Sequence, residues 1–172
     1  MTKAELTKNE KAILIFFLKG FLSDFSKALI FFIPFYFLGL HKEFLWGIFF
    51  LVFFRIFNGG IHCRTYWGCL LLSFVIFSSG IIAGTKIHLV FPDREIIIII
   101  CGLLVIWCTP VVAKSRPIPT KRAKTISKIN TSVILSIFLI INFLMESNTY
   151  LNIGCWFLIL HTLQLVVAYV RR

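Results

Sequence analysis

Acidic residues are scarce in this chain: seven Asp and Glu stand against 18 Lys and Arg among 172 residues, and all charged residues together make up only 15%. That composition excludes an ordinary soluble domain, which would carry roughly a quarter of its residues as charge. Paired metal-ligand motifs of the CxxC or HxxxH kind are also absent. Structural zinc commonly uses such spacings and four ligands. His62, Cys63 and Cys69 supply three on one stretch, with a fourth only if His41 or His161 reached across a bilayer, so no metal and no cofactor are expected. Near the N-terminus, a short apolar stretch broken by Lys19 has no small-x-small site after it, against a cleavable signal peptide.

Apolar residues fill the space that charge vacates. They make up 59% of the chain, with 20 phenylalanines, more apolar surface than 172 residues can bury in a soluble core. The chain therefore reads as all-α and membrane-integral. With about 20 apolar residues per crossing, six spans are expected, over 21–40, 43–57, 67–84, 95–113, 131–145 and 150–169. The second and fifth are short and require tilt, thinning or burial in the bundle. The net charge of +11 does not indicate nucleic acid, because the basic residues sit between apolar runs rather than along one solvated face.

Lys and Arg collect on alternate loops, and such residues favour the cytoplasmic side. With the N-terminus inside, Lys3, Lys8, Lys11, Arg64, the basic run from Lys114 to Lys128 and Arg171-Arg172 all face the cytoplasm. Lys42, Lys86 and Arg94, accompanied by Glu43, Asp93, Glu95 and Glu146, face out. Both termini are then cytoplasmic. Residues 1–20 read as an amphipathic helix on an anionic inner leaflet, 58–68 as a cytoplasmic loop and 114–130 as a basic loop, all within one domain covering 1–172. Asp24 and Lys27, one turn apart, are placed to pair.

Chemistry concentrates in one segment, Arg55-Ile56-Phe57-Asn58-Gly59-Gly60-Ile61-His62-Cys63-Arg64-Thr65-Tyr66-Trp67-Gly68-Cys69. A cysteine nucleophile needs a base that takes its proton and returns it to the leaving group, and histidine suits both tasks near neutral pH. His62 and Cys69 are the candidate pair. A thiol attacks as thiolate, a form favoured by imidazole, nearby cations such as Arg64 and a helix N-terminus; Thr65 is a good N-cap for a helix that would carry Cys69. Seven residues of unbroken helix would separate the pair's Cα atoms by about 10 Å, so the chain must fold back between them, which Gly59, Gly60 and Gly68 permit. Local chemistry leaves a second reading open: glycines for close packing, His62 as a solvated loop residue and Cys69 as apolar filler. Cys101, Cys108 and Cys155 lie in apolar runs as small hydrophobes, His161 as a hydrogen-bonded residue of the last span, and His41 and His88 at helix ends. A small transporter subunit or a membrane chaperone would account for the helices without using the His/Cys loop.

Arg-x6-His-x6-Cys, with Gly-Gly just before the histidine and Thr-Tyr-Trp-Gly-Cys-Leu-Leu after it, resembles the core of the accessory gene regulator B (AgrB) family of membrane peptidases in peptide quorum sensing. The resemblance extends along nearly the whole chain in length and number of spans. It implies a cysteine endopeptidase of the bacterial cell membrane, with His62 and Cys69 catalytic. Arg55, Gly59 and Gly60 would support the site, and Lys114 and Arg116 would fall in a basic stretch that meets substrate. The substrate implied is an autoinducer propeptide, cut through a thioester and cyclised to a thiolactone or lactone. A homodimer is an assembly compatible with it. Cys63 stands where family members often have alanine, and one arginine stands at the end of the second helix where they often have two.

Overall fold

The computed structural model describes residues 8–61, 63, 65–111, 120–146 and 148–171. Among them are six helices and no extended strand: α1 (Lys8–Phe37), α2 (His41–Asn58), α3 (Tyr66–Lys86), α4 (Asp93–Cys108), α5 (Lys121–Leu144) and α6 (Thr149–Val170). Four helices contain stretches long and apolar enough to cross a membrane: Gly20–Phe37 within α1, and α3, α5 and α6. α4, at 16 residues, spans about 24 Å, less than a typical hydrocarbon core. α2 has 18 residues but carries Lys42, Glu43 and Arg55.

The chain divides into a compact unit over Met1–His41 and another over Lys42–Arg172. In the first, α1 is one continuous helix from Lys8 on through the first apolar run; of the stretch 1–20 expected on the membrane surface it takes in 8–20, and 1–7 lie outside the described residues. Lys27 Nζ meets Asp24 Oδ1 at 3.1 Å, as the spacing anticipates. The helix ends in a Schellman turn: Gly39 N–H donates to Tyr36 O, Leu40 N–H to Phe35 O, and Gly39 takes φ +71°, conformational freedom that glycine supplies without a Cβ penalty.

In the second unit α6 is the most deeply packed helix, with Ile153, Cys155, Phe157, Leu158 and Leu165 inaccessible. It runs antiparallel to α3, since Gly84 meets Ile153 and Gly80 meets Phe157. A Cβ on Gly84 would lie 2.7 Å from the Ile153 Cα, so the small residue allows the close backbone approach by which membrane helices associate. The outward surface is apolar, including Trp107 and Phe143. The interior holds the polar groups. Asn152 Nδ2 donates to Gly84 O and Ile87 O while its Oδ1 accepts from Leu89 N–H, which closes the turn after α3. Arg94 donates to Glu95 Oε1 from Nε and Nη2, and to Asn142 O. Charge at such depth is tolerated when paired; this pair is buried in the bundle.

α5 begins earlier than the apolar pattern over 131–145 suggests. Thr120 caps it by accepting from Ala123 N–H, and 121–130, basic and read from sequence as loop, forms its exposed first turns. The helix is 24 residues long, so the expected shortness of this span does not hold.

Candidate active site

One end of the second unit gathers the last turn of α2, residues 59–61, 63 and 65, the first turns of α3, residues 109–111 after α4, and the start of α5. α2 stops at Asn58 because the next two residues are glycines. Gly59 N–H still donates to Arg55 O at 3.0 Å, but Gly59 takes φ +78° and turns the chain away. There it forms an isolated parallel bridge with Val111, in which Val111 N–H donates to Asn58 O at 2.9 Å. The approach is tight: a Cβ on Gly59 would fall 2.0 Å from Val111 O.

Arg55, half-buried in the last turn of α2, donates from Nη2 to Ile61 O at 3.2 Å. A Cβ on Gly60 would lie 3.2 Å from the Arg55 Nε. The guanidinium is thus folded over the glycine pair and bonded to the residue beyond it. This contact satisfies a charge at a helix end beside apolar packing.

Thr65 caps α3, its hydroxyl accepting from Gly68 N–H at 3.2 Å. Cys69 follows immediately, with its N–H donating to Thr65 O at 3.1 Å, and the residue is 7% exposed. The cysteine therefore sits in the first helical turns beside backbone N–H groups that a helix start leaves without intrahelical partners. Cys63, half-buried, lies against the same turn, its Sγ 3.9 Å from where a Gly68 Cβ would be. Neither thiol is in a disulfide.

Of the residues singled out from sequence, the structure brings Arg55, Gly59 and Gly60 together at the end of α2 and places Cys69 at the start of α3. His62, Arg64, Lys114 and Arg116 lie outside the described residues. No group of three or more His, Cys, Asp or Glu that would hold a metal occurs among the described residues. His161 differs from expectation. It is buried in α6 with its ring 6.0 Å from that of Phe54, yet neither ring nitrogen has a hydrogen-bond partner among the described residues.

Sequence reasoning passed over a polar knot beneath the glycine pair. Asn58 is inaccessible, and its amide oxygen meets the hydroxyls of Thr109, at 3.1 Å, and Thr131. Phe57 O accepts from Ser127 Oγ. The only local signal is an asparagine directly before Gly-Gly; its partners stand 51 and 73 residues away.

The family profile described as Accessory gene regulator B matches residues 1–165. A protein of Clostridium beijerinckii named as AgrB-like is 39% identical over 72 residues, covering 42% of this chain and 36% of that relative. The chain thus spans about a third of the relative's length. No solved structure matches. With its apolar helices this makes the chain a multi-pass membrane protein, and it belongs to the accessory gene regulator B family.

Proposed function

We propose that this chain is a membrane cysteine endopeptidase that cuts the C-terminal part from an autoinducer propeptide and promotes closure of the remaining peptide into a ring. The observation that carries the reading is the placement of Cys69 in the first turns of α3, directly after a capped helix start and across a short glycine-bounded segment from Arg55. Family membership supports the same activity.

In this reading the Cys69 thiolate attacks a peptide carbonyl carbon, and His62 delivers the proton that the departing amine needs. The C–N bond breaks, the C-terminal fragment leaves, and a thioester to Cys69 remains. Backbone N–H groups at the start of α3 are suited to the developing oxyanion. A thiol or hydroxyl inside the bound peptide then attacks the thioester, releases Cys69 and closes a thiolactone or lactone. Water competes for the same carbonyl. The site must therefore hold the peptide nucleophile close and keep solvent out, and the low exposure of Cys69 favours that.

The orientation proposed with this function has both termini, the His62–Cys69 loop and the basic segment on the cytoplasmic side. Lys121, Arg122, Lys124 and Lys128 are exposed on the first turns of α5. Together with Lys114 and Arg116 they would meet an anionic inner leaflet or the carboxylates of an acidic propeptide. The N-terminal end of α1, continuous with the first apolar run, would meet that leaflet, and α2 and α4 would complete six spans by tilt or local thinning.

The test is cleavage of an amphipathic propeptide with an acidic C-terminal part, in membranes containing wild type, Cys69→Ala or His62→Ala. Both variants should insert normally and release no fragment, because each removes half of one proton-transfer unit. Fragment release at the normal rate by either variant would overturn the assignment.

A further inference from the structure

We infer that Asn58 is a positioning residue for the peptidase reaction: it fixes the start of the segment between α2 and α3 by binding it to the chain after α4 and to the first turns of α5. The inference rests on the reading of Cys69 as nucleophile, and it concerns uncharged residues.

The last carbonyls of a helix have no intrahelical partner and must find one elsewhere. Here two consecutive carbonyls at the end of α2 are taken by distant segments. Phe57 O accepts from Ser127 Oγ of α5, and Asn58 O accepts from Val111 N–H. The Asn58 side chain adds two contacts, to the Thr109 and Thr131 hydroxyls. One helix end is thereby fixed to two other segments through four polar contacts, three of them made by Asn58, which with Thr109 and Thr131 is shielded from water. Low dielectric strengthens such a network and makes loss of a member felt by the others.

Proton counting sharpens the role of the amide. Thr131 has a single hydroxyl proton, and both Ser127 O, at 2.8 Å, and Asn58 lie within its reach. The Asn58 amide oxygen accepts from both threonine hydroxyls, from Thr109 at 3.1 Å and from Thr131, which shares its proton with Ser127 O. Two segments distant in sequence thus converge on one buried atom.

What the knot holds is the turn at Gly59. That residue sits with φ +78° against Val111 O, and from it the chain runs through Ile61, whose carbonyl is bonded by Arg55, to the α3 cap. A displacement of about 1 Å in a reacting group lowers turnover roughly a hundredfold. Loosening the knot should therefore act on kcat and leave substrate affinity largely intact, because none of its side chains is exposed to a substrate.

The experiment compares Thr131→Val, Thr131→Ser, Thr109→Val and Asn58→Ala with wild type and Cys69→Ala, using full-length protein in membranes and the propeptide cleavage assay. Thr131→Val keeps the side-chain shape and deletes the hydroxyl. It should lower kcat by roughly tenfold to a hundredfold with KM within about twofold, and Thr131→Ser should restore most of the rate. Thr109→Val should shift kcat in the same direction. Should Asn58→Ala fail to accumulate, the isosteric threonine variants still decide. An unchanged kcat in both valine variants overturns the inference, as does a rise in KM alone, which would make the knot part of substrate binding. Equal losses in Thr131→Val and Thr131→Ser also overturn it, since packing and not the hydroxyl would then be responsible. Full cleavage by Cys69→Ala would remove the peptidase reading and this inference with it; inactive Cys69→Ala beside fully active valine variants would remove the inference alone.

Discussion

Replacing Gly59 by alanine adds one methyl group at the most constrained point of the candidate site. Its backbone has φ +78°, a region that disfavours a Cβ by about 1–2 kcal/mol. The new carbon would lie 2.0 Å from Val111 O, a contact with backbone and not with a yielding side-chain tip. Val111 must withdraw, and the Val111 N–H bond to Asn58 O goes with it, at about 1 kcal/mol net. The local strain totals about 2–3 kcal/mol, less than the 5–15 kcal/mol typical of a folded protein. The fold should survive while the turn before His62 moves, and cleavage should fall by roughly a hundredfold. Gly39→Ala is the matched control, because Gly39 has φ +71° with nothing within 4 Å of its Cβ position. It should lose about 1 kcal/mol of stability and little activity. Membrane cleavage assays with thermal unfolding in detergent separate the two effects; Gly59→Ala cleaving as well as Gly39→Ala would refute the reasoning.

Gly84→Ala should lower the unfolding midpoint despite the better helix propensity of alanine, because its Cβ would lie 2.7 Å from the Ile153 Cα and overpacking of this kind costs about 1–3 kcal/mol. Gly20→Ala, with nothing near, should be neutral or stabilising in the same melt. Cys63→Ala should retain most cleavage, whereas activity in Cys69→Ala together with its loss in Cys63→Ala would reassign the nucleophile. A membrane-impermeant thiol reagent applied to intact cells should label an engineered cysteine at Asp93 and miss one at Ser115; the reverse pattern would invert the proposed orientation.

Helices were legible wherever apolar residues ran long, as in α3 and α6, because bilayer and bundle interior make the same demand on sequence. α5 was underestimated at its N-terminus. Lys121, Arg122, Lys124 and Lys128 read as loop by charge, although Thr120 supplies a cap and lysine and arginine are good helix formers. Arg94 and Glu95 read as flanking charges and are buried against each other, an outcome decided by the packing of α4 on α5 and α6. Cys155, read as a small hydrophobe, directs its Sγ at Asn142 Oδ1 at 3.7 Å. At the candidate site, the segment from Arg55 to Cys69 stood out because glycines, a thiol and an imidazole seldom adjoin inside an apolar chain. The clamp of Arg55 on Ile61 was within reach of that reading, six residues apart. The Asn58 knot was not, since hydroxyls brought from Thr109 and Thr131 leave no local pattern.

The central claim is that Cys69 forms a thioester with the propeptide, and trapping it is the direct measurement. A propeptide whose internal Cys or Ser nucleophile is replaced by Ala should be cut but unable to cyclise. Intact-protein mass spectrometry should then find Cys69 carrying the N-terminal peptide fragment, or linear peptide formed by its slow hydrolysis; hydroxylamine should release the adduct. The unmodified propeptide should yield the ring. Fragment release with no hydroxylamine-sensitive adduct and linear product from both substrates would contradict the cyclising mechanism, and an adduct on any residue other than Cys69 would contradict the site.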